Sequence, residues 1–230
     1  MLIGILQAGH LDRGDIPMPE YDELYPALLD GYGFTFRTWR VVDGDFPASV
    51  DEAHGWLISG SRHGAYEDHD WIPPLEDFIR TAYAKSVPLV GICFGHQIIA
   101  QALGGRVEKF SGGWSVGLTD YEIEGQTYAL NAWHQDQVVE LPPRARVVGH
   151  SDVCANAALI YDGRAYSVQP HPEFDHDVIG KLLEHRAPGL VPDDRIEGAL
   201  RKLELDDDNR RMADRIAAFF KETAHGELAG

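Results

Sequence analysis

Between Val87 and Leu103 the chain passes from an apolar run, through one cysteine, into a helical pattern. Val87–Ile92 reads as a short strand buried on both faces. Gly95–Leu103 has helical spacing and is stopped by Gly104-Gly105. Cys93 lies between them, flanked by Gly91 and Gly95. A sharp strand-to-helix turn requires such glycines, because side chains at those positions would clash. The elbow sets the thiol at a helix N-terminus, where unpaired N–H groups and the helix dipole favour negative charge. The thiolate is the reactive form of cysteine. The same turn also accommodates a structural cysteine, since free cysteine is commonly core.

This unit sits in a longer alternation. Met1–Leu6 reads as a strand, Tyr21–Asp30 as an amphipathic helix stopped at Gly31, Phe34–Val41 as a second strand and Gly55–Ser59 as a third. Ile72–Lys85 reads as a helix with Pro73 and Pro74 in its first turn, where missing N–H groups cost least. Such alternation implies an α/β fold: an open, mostly parallel sheet with helices on both faces. Sites in such sheets lie outside the carboxyl ends of the strands. Cys93 and the Ser59-Gly60-Ser61 turn both fall there. From Arg106 to Gln169 short β-prone runs predict an added layer of antiparallel strands, with turns at Ser111–Gly113, Glu124-Gly125 and Asp162-Gly163. The C-terminal part reads as helical over Asp177–Arg186, Asp193–Leu203 and Asp208–Ala224. Asp206–Asp208 reads as a helix-start signal. With no repeat and no low-complexity linker, the expectation is one domain over residues 1–230.

A second chemical feature follows the run Ala165–Gln169, which reads as a strand ending in Pro170-His171-Pro172-Glu173. Residues two apart in extended chain point the same way, and Pro172 holds His171 extended. His171 and Glu173 therefore share a face, as a base and its orienting carboxylate must. A solvated, proline-rich strand end is the plainer reading of the same four residues.

Composition narrows the classes of function. The 230 residues suffice for a full core, and 44% hydrophobic with 25% charged residues is ordinary for a globular protein. A net charge of −17 argues against nucleic acid as a partner, because phosphates require a basic surface. Cys93 and Cys154 offer no disulfide framework, and a nucleophilic Cys93 must stay reduced, which points to the cytoplasm. No apolar run reaches membrane-spanning length, and Met1–Leu6 lacks the basic start of a signal peptide.

Gly91, Cys93, Gly95 and Gln97 match the Gly-x-Cys-x-Gly-x-Gln motif, and His171, Pro172 and Glu173 the His-Pro-Glu motif, of the class I glutamine amidotransferases. The chain resembles that family from its first strand to about Phe174, and is similar to free-standing members related to the amidotransferase domain of GMP synthase. The resemblance implies the family's flavodoxin-like fold and a Cys93, His171 and Glu173 triad that releases ammonia from the side chain of glutamine through a γ-glutamyl thioester. It implies oxyanion donors at the backbone N–H groups of Phe94 and Gly60, although Ser59-Gly60-Ser61 stands where relatives often carry Gly-Gly-Pro. It also implies substrate contacts at Gln97 and along Trp133, His134, Gln135 and Asp136, where relatives carry Ser-His-x-Asp and Trp133 departs from the pattern. On spacing alone Gln97 reads equally as a surface helix residue, and His134 with Asp136 as a structural pair. Gly112-Gly-Trp114 resembles a loop near the family's active site.

No cofactor and no metal are expected. Gly4 and Gly9 make no nucleotide fingerprint, and His10, His54, His63, His69 and His176 show no ligand spacing. His63 and His69 share a loop with Glu67, Asp68 and Asp70 that reads as a solvated acidic loop. Cys154 reads as inert core. With no domain to activate an acceptor, ammonia would be released or passed to a partner synthetase. Two alternatives stand beside glutamine hydrolysis: a γ-glutamyl peptidase using the same triad, and a non-catalytic subunit that keeps the fold.

Overall fold

The structure is a computed structural model that describes residues 1–12, 14 and 16–224. Its first half follows the expected alternation: β1 (Leu2–Leu6), α1 (Tyr21–Leu28), β2 (Thr35–Trp39), β3 (Gly55–Ile58), α2 (Ile72–Ala84), β4 (Leu89–Ile92) and α3 (Phe94–Ala102). Then come β5 (Arg106–Lys109), β6 (Ser115–Ile123), β7 (Gln126–His134), β8 (Asp136–Glu140), β9 (Ala145–His150), β10 (Ala158–Tyr161) and β11 (Ala165–Val168). Three helices follow: α4 (His176–His185), α5 (Asp193–Leu200) and α6 (Asn209–Ala224).

Nine strands form one sheet in the order β2-β1-β3-β4-β11-β10-β9-β6-β7. The first five run parallel and the last four add on antiparallel. β5 and β8 pair in a separate two-stranded layer. Strand period sorts the core into two faces. Ile3, Ile5, Leu57, Val90 and Ile92 pack with the aromatic residues of α1 and α6, whereas Leu6, Trp56, Ile58 and Leu89 pack with α2 and α3. All four residues of β4 are buried, as a strand covered on both sides must be.

The antiparallel region is less broken than its sequence suggests. β6 and β7 pair over nine positions each, closed by Glu124-Gly125 with positive φ at both residues. That is the twist-matched two-residue hairpin turn. Boundaries also shift. The second strand ends at Trp39, and Val41–Asp43 turns as a short 3-10 helix. The acidic run before α6 does more than start a helix: Asp208 accepts the Ala129 N–H at 2.8 Å and so fastens α6 to β7.

The topology brings three segments to one edge. β3, β4 and β11 lie side by side and parallel, with Ile58 paired to Gly91 and Ile92 to Val168. Gly60, Cys93 and His171 each follow the carboxyl end of one of these strands.

Candidate active site

Cys93 follows β4, the middle of these strands, in a backbone conformation that L residues rarely adopt, φ 54° and ψ −104°. Such a residue costs about 1–3 kcal/mol and persists only where its surroundings impose it. Here they do. The Cys93 N–H extends the sheet to Val168 O at 2.9 Å, and its carbonyl accepts the Gln97 N–H at 3.1 Å to begin α3. The flanking glycines follow from close backbone approach: a Cβ at Gly91 would meet the Gly95 carbonyl, and one at Gly95 would meet Ile58 O. The sulfur lies 4.0 Å from Trp133 O and lines a cavity of about 530 Å³.

His171 and Glu173 follow β11. His171 Nδ1 and Glu173 Oε1 are 2.7 Å apart and both side chains are buried. The His171 N–H bonds Asn131 O at 2.8 Å, and its ring stacks on Phe174 at 4.0 Å with a 3° tilt. With Nδ1 engaged, Nε2 is the ring nitrogen left without a hydrogen-bond partner. Burial opposes charge on this ring, but neighbouring Cys93 and Glu173 outweigh it and push the imidazole up to about 10.

One participant left no signal in the sequence. Tyr25 is fully buried on the inner face of α1, where an aromatic residue reads simply as core. Its hydroxyl donates to Glu173 Oε1 at 3.1 Å and accepts the Gly60 N–H at 3.4 Å. Ser59 Oγ donates to Gly60 O at 2.8 Å and accepts the Ala8 N–H at 2.8 Å. Gly60 is thus held at both its carbonyl and its N–H, the N–H turned to Tyr25. A Cβ at Gly60 would lie 2.6 Å from Tyr21 Oη and 2.9 Å from His171 Cε1. Phe94 is the first residue of α3 and is buried against Trp71. Its N–H belongs to the turn that has no intrahelical partner.

The remaining candidate residues line the same cavity. Gln97 is buried, and its amide donates to Asp136 O at 2.9 Å and to Gln169 Oε1 at 3.1 Å. It is therefore no surface glutamine. His134 Nδ1 faces the Asp136 carbonyl at 3.2 Å, so these two are not joined through the carboxylate. Burial, then His171 close by, pushes His134 down to about 4. Burial raises the Asp136 carboxyl above its usual range against a hydrogen bond from Tyr66. Gln135 is tied to Phe110 through its backbone O at 3.0 Å and its amide at 3.4 Å. The Trp133 ring lies 5.9 Å from that of Trp114, and both face the cavity. Cys154, by contrast, is buried elsewhere, and burial pushes its thiol up to about 12. Among the described residues no helix is long and apolar enough to cross a membrane.

A strained cysteine at a strand-to-helix elbow, beside a carboxylate-held imidazole, is suited to acyl transfer. Comparison with known proteins points the same way. The family model "Glutamine amidotransferase class-I" matches residues 38–186. The chain is 30% identical to Gamma-glutamyl peptidase 4 of Arabidopsis thaliana over 217 residues, covering 87% of this chain and 86% of that protein. It is 34% identical to the glutamine-hydrolysing GMP synthase of Azoarcus sp. (strain BH72) over 162 residues, covering 60% of this chain and 30% of that one. A crystal structure of a glutamine amido transferase from Methylobacillus flagellatus shares the fold, with a TM-score of 0.73 at 23% identity over 98% of this chain and 93% of that one.

Proposed function

Because the chain belongs to the class I glutamine amidotransferase family, we propose that it hydrolyses the side-chain amide of γ-glutamyl compounds, with Cys93, His171 and Glu173 as its catalytic residues. The observation that carries this reading is the 2.7 Å His171–Glu173 contact in the cavity lined by the strained Cys93. The Cys93 thiolate attacks the γ-carbonyl carbon. His171, charged and held by Glu173, gives its proton to the departing nitrogen as the tetrahedral adduct collapses to a γ-glutamyl thioester. Water, deprotonated by the now neutral His171, then attacks the thioester, releasing glutamate and restoring the Cys93 thiolate and the charged His171. The oxyanion is met by the Phe94 N–H, and by the Gly60 N–H once that peptide turns from Tyr25.

Substrate size favours γ-glutamyl peptides over free glutamine. The cavity of about 530 Å³ falls within the ~300–1,000 Å³ range that holds drug-sized ligands, more than glutamine needs. The likeness to a γ-glutamyl peptidase along nearly all of both chains supports the same choice. The deciding assay follows ammonia released from glutamine beside amino acid released from γ-glutamyl dipeptides, using purified protein. The reading expects faster turnover of the dipeptides without any added partner. Turnover of neither substrate class would overturn it.

One observation favours a second reading, delivery of ammonia to a partner synthetase. The Gly60 N–H is bonded to Tyr25 and must be redirected before it can serve the oxyanion. Losing one such donor slows the chemical step by about a hundred- to a thousandfold. A partner that turned this peptide would switch glutamine hydrolysis on. Slow glutamine turnover, accelerated by a partner and accompanied by inactivity on γ-glutamyl peptides, would favour this reading.

A further inference from the structure

The loop between β3 and α2 brings together residues whose sequence spacing gives no ligand pattern. We propose that His63, Glu67 and His69 form a binding site for a borderline divalent cation of the zinc type on the rim of the cavity. One ligand atom from each lies within 4.8 Å of the other two. Glu67 Oε2 is 3.3 Å from His63 Nδ1 and 2.7 Å from His69 Nε2. An ion about 2.0–2.2 Å from each of three tetrahedral ligands needs them roughly 3.4 Å apart, so a small outward movement admits it. Two imidazoles and one carboxylate suit zinc-type ions, whereas magnesium and calcium prefer a shell of oxygens.

The ligands are held by the loop itself. The Glu67 N–H bonds Gly64 O at 3.0 Å, the His69 N–H bonds Glu67 O at 3.1 Å, and the His63 N–H bonds Ser61 Oγ at 3.2 Å. Trp71 stacks on the His69 ring at 6.0 Å with a 13° tilt and is itself buried against Phe94. Asp68 and Asp70 stay outside the cluster. The acidic loop is thus two exposed aspartates beside a convergent three-residue set. Three ligands leave one tetrahedral position open. His63 and Glu67 line the cavity that holds Cys93, so a bound cation would stand on its rim and meet anionic groups entering it. The proposal is independent of the catalytic reading.

The test uses the whole chain carrying Cys93→Ser, which lacks the sulfur that would itself bind such metals. Co²⁺ is titrated and followed by visible absorption and calorimetry, and Zn²⁺ is then added as a competitor. The expected result is one saturable equivalent with micromolar or tighter affinity, displaced by Zn²⁺. His63→Ala and His69→Ala should each weaken it by at least about tenfold, with Glu67→Gln, which preserves shape, doing the same. No saturable binding would overturn the proposal. So would binding that is unchanged in Glu67→Gln and His63→Ala, since the ion would then sit elsewhere.

Discussion

At Cys93 the backbone is strained so that the sulfur can stand at the elbow, and strain and chemistry can be separated by substitution. Cys93→Ala and Cys93→Gly both remove the sulfur, so both should lose at least about a thousandfold in turnover. Glycine also removes the Cβ that makes φ 54° costly. Cys93→Gly is expected to be more stable than Cys93→Ala by about 1 kcal/mol, read from urea unfolding midpoints. Equal stability would mean that the elbow carries no side-chain strain. The charged state of His171 makes a second prediction. Its raised affinity for the proton means that the leaving group can still be protonated well above pH 6.5, the ordinary value for histidine. The alkaline limb of kcat/KM against pH should therefore lie far above 6.5, and Glu173→Gln should move it downward. Tyr25→Phe leaves the buried Gly60 N–H without its acceptor and Glu173 without one donor, at an expected cost of about 1–3 kcal/mol measured by urea unfolding. Cys93, His171 and Glu173 stand out as candidates in the local sequence because their motifs combine reactive groups with the glycines and prolines that shape the turn. Tyr25 does not, because a hydroxyl that closes a network 148 residues away in sequence leaves no local mark.

At the scale of elements, the site exists because three parallel strands end together. The β4–α3 unit was legible because its glycines report backbone contacts: Gly95 lies against Ile58 O and Gly91 against the Gly95 carbonyl. Gly95→Ala should therefore push α3 from β3, costing about 1–3 kcal/mol or more and reducing turnover by misplacing Cys93, as urea unfolding and a γ-glutamyl hydrolysis assay would show. A stable, fully active Gly95→Ala protein would contradict the packing argument. Strand pairing was less legible. The sequence marks β11 as a strand, but nothing local says that it inserts beside β4 after a long antiparallel excursion. The convergence of His63, Glu67 and His69 in the loop after β3 left no mark for a related reason. Their side-chain atoms come together through turns held by backbone hydrogen bonds, so their sequence spacing carries no periodic signal.

For the whole molecule, buried neutral histidines set the response to acid. His96 lies in α3 with Nδ1 2.8 Å from Ser167 Oγ, and burial, aided by His134, pushes it down to about 3. His134 is pushed down to about 4. In the unfolded chain both imidazoles take protons near pH 6.5, whereas the folded protein resists them until the pH is much lower. Their contribution is complete above about pH 6.5 and is lost as the pH falls toward 4 and then 3. Each contributes a slope of about 1.4 kcal/mol per pH unit within that window. Urea midpoints measured from pH 7 to pH 4.5 should therefore fall steadily, and His96→Asn should flatten the decline. The overall architecture was legible because βα alternation and twofold burial reflect physical constraints on every strand. Which face of the molecule carries the site followed from the same alternation, since the carboxyl ends of parallel strands share one edge.

Everything proposed for this site depends on Cys93 acting as the nucleophile. Incubating the protein with a glutamine-mimicking electrophile and mapping the adduct by peptide mass spectrometry tests it most directly. A single covalent adduct is expected on the peptide bearing Cys93 and none on Cys154, whose buried thiol is pushed up to about 12. Equal labelling of both cysteines, or labelling of Cys154 alone, would contradict it.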